Sequence, residues 1–149
     1  MHYLAFVLVP RVVGKSEMPK FVANMLEPYN VDLPIEGGVY PENPSAEWDE
    51  WWIGGRWDGM VSRGSDPARE GDEGFESKWA RNTVKVSDLP PEAVPAVVVT
   101  PDGRWHDWYE DVDRGGDWSE QEREWDRIAR AILAQHREYV AVAVDFHSW

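Results

Sequence analysis

The chain has 149 residues, no cysteine and a formal net charge of −13. Its length suits one hydrophobic core, so we interpret residues 1–149 as a single domain. Without cysteine there is no disulfide, no thiolate nucleophile and no cysteine-ligated zinc site. The negative charge argues against direct binding of nucleic acid, which requires a basic surface. The acidity therefore reflects either solubility alone or a surface that imitates nucleic acid.

The first element is an apolar run at residues 2–9, HYLAFVLV, which predicts a strand covered on both faces. This run is too short to span a membrane and no basic segment precedes it. We therefore expect no membrane association and a cytoplasmic location. Apolar residues at helical spacing follow, and they predict a helix with Ser16 as its N-cap that ends before Pro28.

The middle of the chain alternates between irregular segments and one short strand. Residues 30–47 are rich in proline and predict an irregular connection. The motif WWIGGRW should then form a strand that turns at Gly54 and Gly55. Residues 62–78 are polar, charged and glycine-containing, which predicts a mobile loop.

The last third of the chain predicts a hairpin, a helix and a final strand. In AVVVTPDGRWHDW, Pro101 and Gly103 have the positions that a type I turn between two strands favours. The next segment predicts an amphipathic helix that begins with a capping box of Ser119 and Glu122. The final apolar run, YVAVAVDF, predicts a strand.

This element order predicts an α+β fold of the ferredoxin-like, split β-α-β kind. Such a fold has an antiparallel sheet with two helices on one face, here with a long polar loop inserted. We expect the first strand to lie between the hairpin and the last strand, antiparallel to both. His2 would then lie beside His106, Asp145 and His147, so that three histidines converge at one edge of the sheet.

The predicted convergence suggests acid–base chemistry. Asp145 and His147 are two residues apart on a strand and therefore share a face. A carboxylate can orient an imidazole for proton transfer or for metal binding, so His106, Asp145 and His147 are the candidate catalytic residues. Histidines at strand ends are also often merely hydrogen-bonded or solvated. Our preferred interpretation includes no metal and no cofactor.

The glycine pair suggests a second kind of site. Consecutive amides near such glycines can bind an anion, an arginine can hold a phosphate, and tryptophan rings can stack on a nucleobase. The alternative is a β-bulge with tryptophans that pack the sheet. No Walker lysine and no third glycine of a dinucleotide fingerprint is present. The predicted ligand-binding residues are Trp52, Gly54, Gly55, Arg56, Trp57, His106 and His147.

Three stretches, WDEWWIGGRWDG, VVVTPDGRWHDW and VAVDFHS, together resemble a family of small proteins of actinobacteria and their phages that has no assigned activity. The similar elements are GGRW after tryptophans, a TPDG-x-WH hairpin and a C-terminal D-x-H. After His106 the chain departs from the family's glycine- and tryptophan-rich turn. The resemblance implies a phage setting, in which small proteins inhibit, mimic or sequester host factors, including factors of host defence.

Three functions remain open. We favour a non-enzymatic protein that binds a small anionic, phosphate-bearing or nucleotide-like ligand and thereby sequesters a host signal. The second is an acidic inhibitor or nucleic-acid mimic that presents residues 102–126 to a host protein. The third is a hydrolase that uses His106, Asp145 and His147. Ten tryptophans in so short a chain are also compatible with a homodimer.

Overall fold

The protein is described here by a computed structural model, which covers residues 1–32, 43–62 and 75–148. It has the predicted α+β composition. The strands are β1 (His2–Val9), β2 (Glu50–Ile53), β3 (Thr83–Lys85), β4 (Val97–Val99), β5 (Trp105–Asp107) and β6 (Val140–His147). The helices are α1 (Met18–Leu26), α2 (Phe75–Arg81), α3 (Trp108–Asp111) and α4 (Trp118–Gln135). Within the covered ranges, no helix combines the length and apolarity that crossing a bilayer requires.

All six strands form one mixed sheet in the order β2-β6-β1-β4-β5, and β3 pairs with β6 further along the same edge as β2. β1 lies between β6 and β4, as predicted. It runs antiparallel to β6 but parallel to β4, so the prediction of an all-antiparallel sheet is wrong. Parallel strands need a long crossover, and the segment between β1 and β4 supplies it.

Alternate side chains of β1 enter two apolar clusters on opposite faces of the sheet. The cluster on the first face contains Ala5, Val7 and Val9 with Met18, Val22 and Leu26 of α1. The cluster on the second face contains Leu4, Phe6 and Leu8, and Ile132 and Leu133 of α4 pack against it. The helices therefore cover opposite faces, and the predicted ferredoxin-like arrangement with both helices on one face is not found. The continuous apolar pattern of β1 requires this cover on both sides.

Both long helices begin at different residues from those predicted. The N-cap of α1 is Glu17, not Ser16. The N-cap of α4 is Asp117, whose carboxylate accepts the N–H of Glu120 at 2.9 Å, so the predicted capping box at Ser119 is wrong. Aspartate caps as well as serine does. This earlier start brings Trp118 into the first turn of the helix, where its ring contacts the ring of Trp108.

The predicted mobile loop at residues 62–78 is wrong at its C-terminal end, because α2 begins at Phe75. The buried Trp79 anchors this helix in the cluster on the first face of the sheet. Residues 63–74 of that prediction, and residues 33–42 of the predicted irregular connection, lie outside the described residues.

The predicted hairpin is confirmed. β4 and β5 pair antiparallel around the Pro101-Asp102-Gly103 turn. Gly103 has a φ of 86°, and its N–H donates to the carbonyl of Thr100 at 2.8 Å. The Thr100 hydroxyl also donates to the Asp102 carboxylate. These two bonds close the turn.

Candidate functional site

The glycine pair forms a sharp turn immediately after β2. Gly54 and Gly55 have φ values of 71° and 50°, in the left-handed region that other residues avoid. The N–H of Gly54 donates to the carbonyl of Ala143 in β6 at 2.9 Å, and the N–H of Trp57 returns to the carbonyl of Gly54 at 2.8 Å. The chain thus leaves the sheet at this turn and crosses over β6.

Two buried polar side chains lie against these glycines. A Cβ atom on Gly54 would lie 2.5 Å from Nδ2 of Asn82, and one on Gly55 would lie 2.3 Å from Cβ of Asp145. The side chain of Asp145 is only 2% exposed. Both positions therefore require glycine for two reasons: the positive φ angles, and the close approach of the backbone to the side chains of Asn82 and Asp145.

The anion-binding turn predicted at the glycine pair holds an anion that belongs to the chain itself. Oδ2 of Asp145 accepts the backbone N–H of Arg56 at 3.0 Å. The neighbouring amides of Gly54 and Trp57 donate to backbone carbonyls. The N–H groups of Gly54, Arg56 and Trp57 are therefore engaged within the fold, which leaves the predicted anion site at this turn without these three donors.

Asn82 joins the turn to α2. Its Nδ2 donates to the carbonyl of Lys78 at 2.8 Å and to Oδ1 of Asp58 at 2.7 Å, while its Oδ1 accepts the N–H of Gly59 at 2.9 Å. Asp58 also accepts two hydrogen bonds from Arg81, and these are the main cause that lowers the pKa of Asp58. Neither residue was predicted from the sequence, because Asn82 stands in no recognisable motif and Asp58, within WDEWWIGGRWDG, carries no signal for this contact.

Beside this turn, the start of β1 and the end of β6 bring two histidines together. The strand register pairs His2 with His147 and Leu4 with Asp145, so that these side chains share the second face of the sheet. Nδ1 of His2 lies 2.9 Å from Oδ1 of Asp145, and Nδ1 of His147 lies 2.7 Å from Oδ1 of Asp49. We call His2, Asp49, Asp145 and His147 the histidine edge.

The imidazoles of the histidine edge are oriented in the same way. Each ring directs Nδ1 at a carboxylate, and within the described ranges neither Nε2 has a hydrogen-bond partner. The ring centroids of His2 and His147 are 5.1 Å apart, with an interplanar angle of 61°. A carboxylate that fixes Nδ1 leaves Nε2 to act toward an external group. The histidine edge can therefore transfer protons or, when protonated, bind an anion.

Two exposed side chains extend the histidine edge. Trp52 is 40% exposed and stacks on His2 at a centroid distance of 5.7 Å and an angle of 24°. Arg56 is exposed, and its guanidinium makes no hydrogen bond or ion pair in the part of the chain that is described. Of the predicted ligand-binding residues, Trp52 pairs with Asp145 across the strands, Arg56 binds Asp145 through its backbone N–H, and His147 lies two residues further along β6.

His106 does not join this group. It lies opposite Val98 on β4, and Val98 is level with Phe6 on β1. Two strand spacings across the sheet and four residues along β1 separate it from His2, or roughly 16 Å at ordinary strand dimensions. The predicted convergence of three histidines is therefore wrong, because the parallel register of β4 places the hairpin beside the middle of β1.

The side chain of His106 instead contacts its own neighbours. Its Nε2 lies 3.2 Å from the hydroxyl oxygen of Thr100, and its Nδ1 lies 3.3 Å from Oδ1 of Asp111. The alternative of a metal triad gains no support either. Residues 1–32, 43–62 and 75–148 contain no group of three or more His, Asp or Glu side chains that could hold a metal ion.

A cavity of 480 Å³ lies on the opposite side of the sheet, and the sequence analysis missed it. We call it the aromatic cavity. Its aromatic walls include Tyr3, Trp105, Trp108, Trp118, Trp125 and Phe146. Three carboxyl groups, those of Glu47, Asp107 and Glu122, also line it. The walls come from separate segments of the chain, and the only signal in the sequence was the density of tryptophans between 105 and 125.

The segment 102–126, predicted to present an acidic surface, contributes to this cavity and to the interior. Trp105, Val112 and Trp125 are buried. Nε1 of Trp125 donates to the carbonyl of Pro95 at 3.0 Å, which holds α4 against the chain before β4. Part of the segment is therefore structural, and only its remaining side chains face outward.

Glu47 is the most perturbed acid of the aromatic cavity. Burial raises its pKa to about 7, and the nearby carboxylates of Asp107 and Glu110 add to the effect. Asp107 itself is engaged, because it accepts Nε1–H of Trp105 at 3.0 Å and the N–H of Glu110 at 2.9 Å. The cavity therefore contains a carboxyl group that is half ionised near neutral pH.

We expect Glu47→Gln to stabilise the protein at pH 8 and to change its stability little at pH 4. The pKa of Glu47 is about 7 in the folded protein, against about 4.3 in an unfolded chain. The neutral carboxyl group thus favours folding fully below the unfolded pKa, and this contribution is lost as the pH rises toward 7. Glutamine does not titrate. Urea unfolding of both proteins at pH 4, 6 and 8 measures the difference, and a difference independent of pH would contradict the assignment.

The comparisons with known proteins add no relative to this description. The chain matches no family model, and no curated protein and no solved structure shows significant similarity to it. The resemblance stated from the sequence stays a prediction.

Proposed function

We propose that the protein binds a small phosphate-bearing, nucleotide-like ligand at the histidine edge. The observation that carries this proposal is the pair of carboxylate-oriented imidazoles, His2 and His147, whose Nε2 atoms lack partners among the described residues. The exposed ring of Trp52 stacks on the imidazole of His2. The ligand would not use the N–H groups of Gly54, Arg56 and Trp57, because that of Arg56 donates to Asp145 and the other two donate to backbone carbonyls.

The side chains of the histidine edge and of its neighbours Arg56 and Trp52 would contact different parts of the ligand. A protonated imidazole keeps Nδ1–H on its carboxylate and donates Nε2–H to a phosphate oxygen. Arg56 adds a guanidinium that is charged at all relevant pH values and suits phosphate geometry. Trp52 offers a ring face on which a nucleobase stacks. Such a local group of donors is compatible with a net charge of −13 on the whole chain.

The test is a titration with adenosine monophosphate, adenosine and inorganic phosphate by calorimetry at pH 5.5 and pH 8. We expect the monophosphate to bind at least about tenfold more tightly than adenosine, because only the monophosphate offers charged oxygens to the imidazole and guanidinium donors. His147→Gln and Arg56→Gln should each weaken binding about tenfold, the usual loss of a charged hydrogen bond.

The matched control is Arg130→Gln. Arg130 lies on the exposed side of α4, where it pairs with Asp126 at 3.0 Å. This substitution should leave nucleotide affinity unchanged. Absence of monophosphate binding at both pH values would refute the proposal, and equal affinity for adenosine would show that the phosphate is not recognised.

A second function, hydrolysis of a phosphate ester, is supported by one specific observation. The imidazoles of His2 and His147 are each oriented by a carboxylate, and their ring centroids are 5.1 Å apart. Two such rings are suited to act as general base and general acid on a single substrate. In this case His2 takes the place that the sequence analysis gave to His106. Product formation from a cyclic nucleotide that is lost in His147→Gln would identify catalysis, whereas binding without turnover supports the first function.

A further inference from the structure

The aromatic cavity has the geometry of a cage. The rings of Trp108 and Trp118 meet edge to face, with centroids 4.2 Å apart and an interplanar angle of 88°. Trp105 and Phe146 are arranged in the same manner, at 5.2 Å and 76°. Rings at right angles present faces in different directions, which suits a rounded occupant better than one flat molecule. Aromatic faces carry a negative potential that attracts cations.

The charges in the walls have one sign. Glu47, Asp107 and Glu122 line the cavity, and no lysine, arginine or histidine is among its described lining residues. Asp107 is engaged by N–H donors. The carboxyl group of Glu47, by contrast, has no hydrogen-bond partner in the described part of the chain, although burial raises its pKa. A partly buried acid without a donor is stabilised by a cationic partner.

One aromatic ring that lines the cavity already contacts a cation of the chain. The guanidinium carbon of Arg114 lies over the ring of Tyr109, 4.6 Å from the ring centroid. Because Tyr109 lines the cavity, one aromatic ring of the cavity wall is in contact with a positive group of the chain. The volume of 480 Å³ is typical of a pocket for a small molecule.

We infer that the aromatic cavity binds a small organic cation of the alkylated ammonium class. The rings of Trp108 and Trp118 enclose its alkyl groups, and Glu47 and Glu122 lie opposite its charge. An anion is disfavoured there by the three carboxyl groups. This site lies on the other face of the sheet from the histidine edge and does not depend on the function proposed for it.

The test compares choline with 3,3-dimethylbutan-1-ol, a neutral molecule of the same shape, by calorimetric titration at pH 8. We expect choline to bind at least about tenfold more tightly, as a cation–π contact with carboxylate partners predicts. Equal affinity for the two molecules, or no binding of choline, would overturn the inference, because the cavity would then select only for shape or would take neither.

Two variants locate the site. Trp118 is 66% exposed, so Trp118→Leu should fold normally and weaken choline binding about tenfold. Glu122→Gln should weaken choline binding while leaving the affinity for the neutral alcohol unchanged. The matched control is Trp52→Leu, which removes an exposed ring far from the aromatic cavity and should leave choline affinity unchanged, although it should weaken nucleotide binding at the histidine edge. An equal loss in Trp52→Leu and Trp118→Leu would overturn the assignment to the aromatic cavity.

Discussion

Gly55→Ala is expected to destabilise the protein by about 3 kcal/mol. Alanine at a φ of 50° is strained, which costs about 1 to 2 kcal/mol. The new Cβ would also lie 2.3 Å from Cβ of Asp145, and displacing a packed neighbour costs about 1 to 3 kcal/mol. Urea unfolding monitored by tryptophan fluorescence measures the loss.

The control for this substitution is Gly103→Ala. Gly103 has a φ of 86°, and an added Cβ would meet nothing within 4 Å. The variant therefore isolates the backbone strain, which we expect to cost about 1 to 2 kcal/mol. If both substitutions had the same cost, the close contact between Gly55 and Asp145 would have no energetic weight.

Asp145→Ala is expected to be equally severe, at about 3 kcal/mol. The substitution leaves the N–H of Arg56 without its acceptor and the imidazole of His2 without its partner. Removing one member of a buried, hydrogen-bonded pair costs far more than the pair itself contributes. Unfolding by urea at pH 7 measures this loss, and monophosphate affinity should fall in the same variant, because Arg56 loses its anchor.

Asp49→Ala is the matched control, since it removes the carboxylate of the other pair on the histidine edge. The side chain of Asp49 is 30% exposed. Water replaces its bond to His147, so the expected cost is about 1 kcal/mol or less. Equal losses in the two variants would mean that the burial of Asp145 does not matter for its role.

The ends of β1 and β6 contribute residues to both proposed sites, which would have opposite charge preferences. His2 and His147 project to one face, where an anion is expected, while Tyr3 and Phe146 project to the other, where the aromatic cavity begins. An acidic chain can thus contain a local site for phosphate and a separate site for a cation. The two proposals have independent tests, and either can fail alone.

Local signals predicted the elements that depend on local physics. The continuous apolar runs identified β1 and β6, and proline and glycine identified the turn between β4 and β5. The amphipathic stripe identified α4, although its first residue was predicted wrongly, because several capping residues stand close together there. α2 was missed, because its buried anchor Trp79 lies in a segment whose sequence is mostly polar.

The sequence alone determined that the turn after β2 needs glycines and that Asp145 and His147 share a face, because both follow from backbone geometry. Only the tertiary structure decided which residues they meet. The parallel register of β4 places His106 far from His2, and the antiparallel register of β6 places His2 next to Asp145. The carboxylate of Asp145 accepts the N–H of Arg56, where a ligand anion was predicted to bind. Strand direction depends on the path of a long crossover, and no local pattern encodes that path.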